Sequence, residues 1–176
     1  MAKYEDLVSE DDWLLALDGR AWVFGDGVAR RDILADEHLE AIPAVAARQV
    51  MTPLLGGFAD RIHGGDFIVA GENFGFDVMQ RSVPFAIKAA GVGAVIARSF
   101  GHFFLRNAIH LALPALVVEE TAAIKQGDRL RVDVEAHVIA NKSSGDRYVI
   151  RNLDDAEIAL LRAGGLIERT KRAGGK

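Results

Sequence analysis

Asp66-Phe-Ile-Val-Ala70, Gly93-Ala-Val-Ile-Ala97 and Ala115-Leu-Val-Val118 are three short apolar runs, and what separates them decides the fold. Each has the length and composition of a strand covered on both faces. Between the first two, Val83, Ala86, Ile87 and Ala90 stand at i, i+3, i+4 and i+7. That is the apolar stripe of a helix, read here from Val78 onward, with Gly91 as its C-terminal cap. Between the second and third runs, Phe104, Asn107, Ala108 and Leu111 repeat the spacing until Pro114 stops it. Strand, helix, strand, helix, strand at this spacing predicts a parallel α/β unit with right-handed crossovers.

Upstream, Arg20-Ala-Trp-Val-Phe24 reads as a further strand that ends at the turn Gly25-Asp26-Gly27. From Ile33 to Arg61 the pattern is helical but broken by Pro43, Pro53 and Gly56-Gly57. Residues 1–18 read as an acidic leader whose Trp13, Leu14, Leu15 and Leu17 are expected to dock on the main body. Downstream, Leu130 to Val134 and part of Ala136 to Ala140 alternate apolar with polar residues. Lys142-Ser-Ser-Gly-Asp146 is a turn cluster, and Arg147 to Arg151 resumes as a strand, so this region is expected to be an antiparallel hairpin. Asp154 and Asp155 are placed to cap a last helix, which ends at Gly164-Gly165. The expected organisation is a leader over 1–18, one domain over 19–170 and a flexible tail over 171–176.

The chain has 176 residues, half of them hydrophobic, and 26% charged, which argues against disorder and suits one domain with a substantial core. With 21 basic and 25 acidic residues the net charge is −4, so the basic footprint of a nucleic-acid binder is lacking. No run approaches the roughly 18 apolar residues of a membrane span. Met1 to Asp12 carries Glu5, Asp6, Glu10, Asp11 and Asp12, with no basic stretch leading into an apolar one. A soluble cytoplasmic protein is the expectation. There is no cysteine, which excludes a disulfide framework, a thiolate zinc site, a cysteine nucleophile and an iron–sulfur cluster ligated by this chain's own cysteines.

His38, His63, His102, His110 and His137 form no compact ligand set, and no metal is expected on this chain. Gly91-Val-Gly93 starts like a dinucleotide fingerprint, but Ile96 holds the third glycine position and the glycines precede the strand. Two loops are better candidates. Gly71-Glu-Asn-Phe-Gly75 joins a strand to a helix, so helix-start N–H groups there offer a seat for a carboxylate or phosphate, with Asn73, Gln80 and Arg81 nearby. Glycines serving only a tight connection are the alternative. Arg30-Arg31-Asp32, after the first turn, suits bidentate recognition of a di- or tricarboxylate, although surface arginine pairs are commonly just solvated.

Seven stretches in order then carry a family resemblance. They are Gly19-Arg-Ala-Trp-Val-Phe-Gly-Asp26, Gly65-Asp-Phe-Ile-Val-Ala-Gly-Glu-Asn-Phe-Gly75, Ala94-Val-Ile-Ala-Arg-Ser-Phe100, Arg106-Asn-Ala-Ile109, Leu113-Pro114, Gly127-Asp-Arg-Leu-Arg-Val-Asp133 and Ala163-Gly-Gly-Leu-Ile167. Together they resemble the small subunits of 3-isopropylmalate dehydratase and, more widely, the swivelling domain of the aconitase superfamily. The resemblance implies a swivelling β/β/α fold: a parallel α/β unit plus an antiparallel hairpin region. It also implies a heteromer with a large subunit that holds a [4Fe–4S] cluster, whose iron acts as Lewis acid on the substrate. The implied reaction is dehydration and rehydration of a hydroxylated di- or tricarboxylate, a hydro-lyase activity of leucine biosynthesis.

The departures fall in the site. Where the family loop continues Cys-Gly-Ser-Ser-Arg-Glu, this chain has Phe76, Asp77, Val78, Met79, Gln80 and Arg81. The serine that acts as base in the family is therefore replaced by an apolar residue. Arg81 is one position beyond the family arginine, a step of about 100° on a helix. Arg30-Arg31 replaces the family's Thr-Asp, and Ser99-Phe-Gly-His102 its Ser-Phe-Ala-Arg. The catalytic group is left unassigned, with Asp77 and His102 as candidate proton acceptors. Substrate contacts are expected from Asn73, Gly75, Gln80, Arg81, Arg30 and Arg31. The alternative reading is a catalytically impaired regulatory or anion-binding paralogue.

Overall fold

One strand, β1 (Ala16–Val23), organises the sheet from its middle in the computed structural model, which describes residues 16–165. The seven strands lie in the order β4-β3-β2-β1-β5-β6-β7. Ala21, Trp22 and Val23 pair in parallel with Phe67, Ile68 and Val69 of β2 (Phe67–Val69). On its other edge, residues 16–20 of β1 run antiparallel to β5 (Arg129–Asp133). The parallel half continues through β3 (Ala94–Ala97) and β4 (Ala115–Val117), and the antiparallel half through β6 (Val138–Asn141) and β7 (Arg147–Val149). The parallel α/β unit and the antiparallel hairpin region are both present, fused through β1.

That strand begins at Ala16, inside the stretch expected to be leader, and not at Arg20. Asp18 and Gly19 disguise it, because both residue types are depleted in strands. Each has a local reason to be there. Asp18 accepts from the guanidinium of Arg131, its cross-strand neighbour, at 3.0 Å. A Cβ at Gly19 would lie 2.9 Å from the Asp66 Cα, too close for any side chain. Residues 1–15, with Trp13, Leu14 and Leu15, and residues 166–176, with the expected tail, lie outside the described residues.

The broken helical stretch resolves into α1 (Arg30–Ile33), a 3-10 turn over Asp36–His38, α2 (Pro43–Gln49) and α3 (Phe58–Arg61). Arg30 and Arg31 are therefore in the first turn of a short helix and not in a loop. The first crossover helix, α4 (Ser82–Ala89), starts later than the expected Val78, so Gln80 lies before it and Arg81 is its N-cap. The second crossover helix is α5 (His102–His110). The last, α6 (Asp155–Arg162), is capped by Asp154 alone: Asp154 accepts from the Glu157 amide at 2.8 Å while the Glu157 carboxylate accepts from the Asp154 amide at 3.0 Å.

The alternation of side chains along the strands splits the core in two. Ile68, Val95 and Ala97 pack with Val83, Ala86 and Ile87 of α4 and Phe104 and Ala108 of α5 on one face. Phe67, Val69, Ala94 and Ile96 pack on the other with Leu130, Val132, Ile139 and the α6 residues Ile158, Leu160 and Leu161. Tyr148, opposite Ile139, is buried in this second cluster, and its hydroxyl has no hydrogen-bond partner among the described residues. Removing an unsatisfied buried hydroxyl is neutral or favourable. Tyr148→Phe is accordingly expected to leave the urea midpoint unchanged or to raise stability by up to about 1 kcal/mol, and a clear loss would contradict the assignment.

Candidate functional site

Three chain segments leave the C-terminal ends of β1, β2 and β3 on the same edge of the parallel sheet, where such folds place their ligands. They are tied into one surface by hydrogen bonds between residues far apart in sequence. Gly71 N–H donates to the Gly25 carbonyl, Gly27 N–H to the Glu72 carbonyl and Gly75 N–H to the Val28 carbonyl. The Asp26 carboxylate accepts from the Glu72 amide at 2.7 Å, and the Ser99 hydroxyl accepts from the Asn73 amide at 2.8 Å. Phe74 N–H donates to the Ser99 carbonyl, Gly101 N–H returns to the Phe74 carbonyl, and the Arg98 guanidinium pairs with Glu72 at 3.2 Å. Under this surface the rings of Phe74, Phe100 and Phe104 form a compact aromatic group, Phe100 stacked on Phe104 and Phe74 edge-on to both.

These bonds correct the reading of Gly71–Gly75 as an anion seat. The helix start it was to use is at Ser82, several residues further on. The five amides from Gly71 to Gly75 are all donated inside the protein. Gly75 is buried, so of the expected contact residues it serves the scaffold. Asn73 has a left-handed backbone, φ 59°, and an exposed side chain. The donors without an acceptor lie just beyond: among the described residues, the amides of Phe76, Asp77, Met79 and Gln80 meet no protein partner.

The rewritten positions divide by exposure. Val78 is buried in the core, whereas Phe76 and Met79 are 56% and 65% exposed. Of the two family serine positions, one thus faces inward and one outward. Asp77 lies beside α1, its carboxylate accepting from the Arg30 amide at 2.6 Å. The Arg30 side chain pairs with Asp36, while its Nη1 is buried with no hydrogen-bond partner among the described residues. Arg31, Gln80 and Arg81 are exposed. The structure therefore brings Arg30 to Asp77. The Arg81 charge is felt at α5: burial, and after it the charges of Arg106 and Arg81, hold His110 below the ordinary histidine range.

The site residues expected from the sequence omit Asp26, Ser99, Arg106 and His110, although the spacing of His102 and His110 already makes them candidates to share one helix face. Asp26 and Ser99 are visible only through partners 46 and 26 residues away. His102, Arg106 and His110 repeat every four residues, a spacing that does place them along one face of α5. With Asp154 and Glu157 of α6 they line a groove of about 390 Å³ that reaches the site through His102. Among the described residues no three His, Asp or Glu side chains are grouped to hold a metal ion, and no helix is long and apolar enough to cross a membrane.

No protein-family model matches the chain. It is 43% identical over 154 residues to the 3-isopropylmalate dehydratase small subunit 1 of Archaeoglobus fulgidus, covering 87% of this chain and 96% of that one. It is 40% identical over 154 residues to the 3-isopropylmalate dehydratase small subunit of Wolinella succinogenes, covering 87% and 92%. The crystal structure of 3-isopropylmalate dehydratase from Methanocaldococcus jannaschii superposes with a TM-score of 0.86 at 33% identity, over 90% of this chain and 95% of that one.

Proposed function

The chain belongs to the family of 3-isopropylmalate dehydratase small subunits, a hydro-lyase family, and from that premise we propose that it closes a shared active site against a large subunit. The substrate would be 3-isopropylmalate or another hydroxylated di- or tricarboxylate, isomerised by dehydration and rehydration in leucine biosynthesis within the cytoplasm. The fold supports this reading in one respect above the others. Three loops at one sheet edge form a single surface that carries Arg30, Arg31, Asp77 and His102 together with the open amides of residues 76, 77, 79 and 80. Cations and open amides suit the carboxylates of such a substrate.

The [4Fe–4S] cluster expected of such enzymes is assigned in this reading to the large subunit. This chain offers no cysteine, and its described His, Asp and Glu residues form no ligand group. What this chain supplies is binding and proton handling. In the complex Arg30 and Arg31, with Asn73 and Gln80, would orient the substrate carboxylates. Arg81 serves from the α5 side. With an apolar residue at the family's serine position, Asp77 and His102 are the candidate proton acceptors, the Asp26 carboxylate being held on the Glu72 amide and Glu72 by Arg98.

The test is co-purification with the large subunit, followed by turnover measurements on a panel of hydroxy di- and tricarboxylates. Turnover of 3-isopropylmalate or a relative is expected, and none across the panel with the cluster intact overturns the proposal. Asp77→Asn keeps an oxygen to accept from the Arg30 amide while removing the base. If Asp77 is the proton acceptor, kcat should fall on the order of 10²-fold with the fold unchanged, and His102→Gln should leave it largely intact. The reverse pattern would assign the role to His102.

A further inference from the structure

On the exposed face of the antiparallel half, pairing register puts like charges side by side. Arg20 of β1 lies directly opposite Arg129 of β5. The next strand continues the row: Leu130 is opposite Asn141, and the Lys142 amide donates to the Arg129 carbonyl at 2.7 Å. Three cations thus occupy one row across three strands spaced about 4.8 Å apart. Like charges directly opposite one another destabilise a sheet.

Nothing within the described protein compensates them. Arg20, Arg129 and Lys142 are exposed, and none has an ion-pair partner among the described residues. Among the described residues, Asp18 in the wall of the row is already held by Arg131 at 3.0 Å, and the Asp128 carboxylate next to Arg129 accepts from the Lys125 amide and the Asn141 side chain. The row lines a concavity of about 410 Å³ with Asp18, Gly19 and Leu130 as the rest of its wall. No residue of that wall belongs to the three loops of the candidate site, so this feature is independent of the dehydratase reading.

We propose that this row is a second, separate anion site, binding a phosphoryl group either as free phosphate or carried on a small organic molecule. A dianion between Arg20, Arg129 and Lys142 meets two planar guanidinium forks and one ammonium point charge, the donor types that recognise phosphoryl oxygens. It also turns the like-charge repulsion within the row into shared attraction. Carboxylates of the dehydratase type are served at the other site. A compact, multiply charged oxyanion fits this one.

The experiment uses the full chain and follows thermal unfolding with added inorganic phosphate, at ionic strength held constant with chloride. A saturable rise in Tm of about 2–4 °C is expected for the wild type, since a ligand that binds only the folded state stabilises it by mass action. Arg129→Gln and Lys142→Gln should abolish the rise. Each removes repulsion, so the unliganded variants should melt no lower than the wild type, which shows that they fold. Glycerol phosphate in a parallel titration separates the sources: tighter saturation than inorganic phosphate points to an organic phosphomonoester, and equal or weaker saturation to free phosphate. No saturable response to either probe, or an undiminished response in Arg129→Gln, would overturn the site.

Discussion

Replacing Asp66 by alanine is expected to lower stability by about 3–5 kcal/mol, a loss that leaves little margin in a domain of this size. The carboxylate is only 4% exposed and accepts three hydrogen bonds: from the Arg20 amide at 2.9 Å, the Trp22 indole at 2.9 Å and the His63 amide at 3.0 Å. Alanine leaves all three donors without an acceptor. Those donors join β1, β2 and the turn between α3 and β2, so the loss falls where the sheet changes from antiparallel to parallel pairing. Urea midpoints of wild type and variant measure it, and a difference under about 1 kcal/mol would refute the structural role. The same group makes a pH prediction. Burial pushes its pKa up, but the bonds from Trp22, His63 and Arg20, with the nearby His63 ring, outweigh burial and hold it below the usual aspartate value. A depressed folded pKa means that the contribution is complete above the unfolded value near about 4 and is lost as pH falls through the folded one. The gap between wild type and Asp66→Asn should accordingly be wide at neutral pH and shrink on acidification below about pH 4.

Gly101→Ala is expected to cost about 2–4 kcal/mol and, in the complex with the large subunit, about 10²-fold in turnover. Gly101 has ordinary helix-entry dihedrals, so backbone strain is not the cause. A Cβ there would sit 2.6 Å from the Phe76 Cα and closer still to the Gly75 carbonyl oxygen, both backbone atoms that no rotamer change can move. Relief requires separating the loop after β3 from the loop after β2. That would break the bonds from Gly101 to Phe74 and from Asn73 to Ser99, and it would displace Asp77 relative to His102. Gly25→Ala is the control: nothing lies within 4 Å of a Cβ at that position, and its effect should stay within about 0.5 kcal/mol. Equal midpoints and equal turnover for the two variants would remove the packing argument for the site.

The family and the parallel core were legible along the chain because their signals are local. A run such as Ala94-Val-Ile-Ala97 between Gly93 and Arg98 reads as a buried strand from its own composition, and the stripe from Val83 to Ala90 reads as a helix from its own spacing. The hairpin and the Asp154 cap were legible for the same reason. The start of β1 was not. Asp18 and Gly19 make sense in a strand only beside Arg131 and Asp66, which arrive from elsewhere in the chain.

The site shows the same boundary more sharply. Local sequence identified the loops, the paired arginines and the replacement of the family's Cys-Gly-Ser-Ser-Arg-Glu, since these are matters of residue type and order. Local sequence could not say that the amides of Gly71–Gly75 are already consumed, because their acceptors at Gly25, Asp26, Val28 and Ser99 become neighbours only when β1, β2 and β3 align. Nor could it turn Val78 into the core and Met79 out of it, or put the Arg81 charge within electrostatic reach of His110. Residue type and spacing settle which chemistry a chain carries and which faces it buries. Which donors remain open, and which charges share a surface, depends on the long-range register of the sheet.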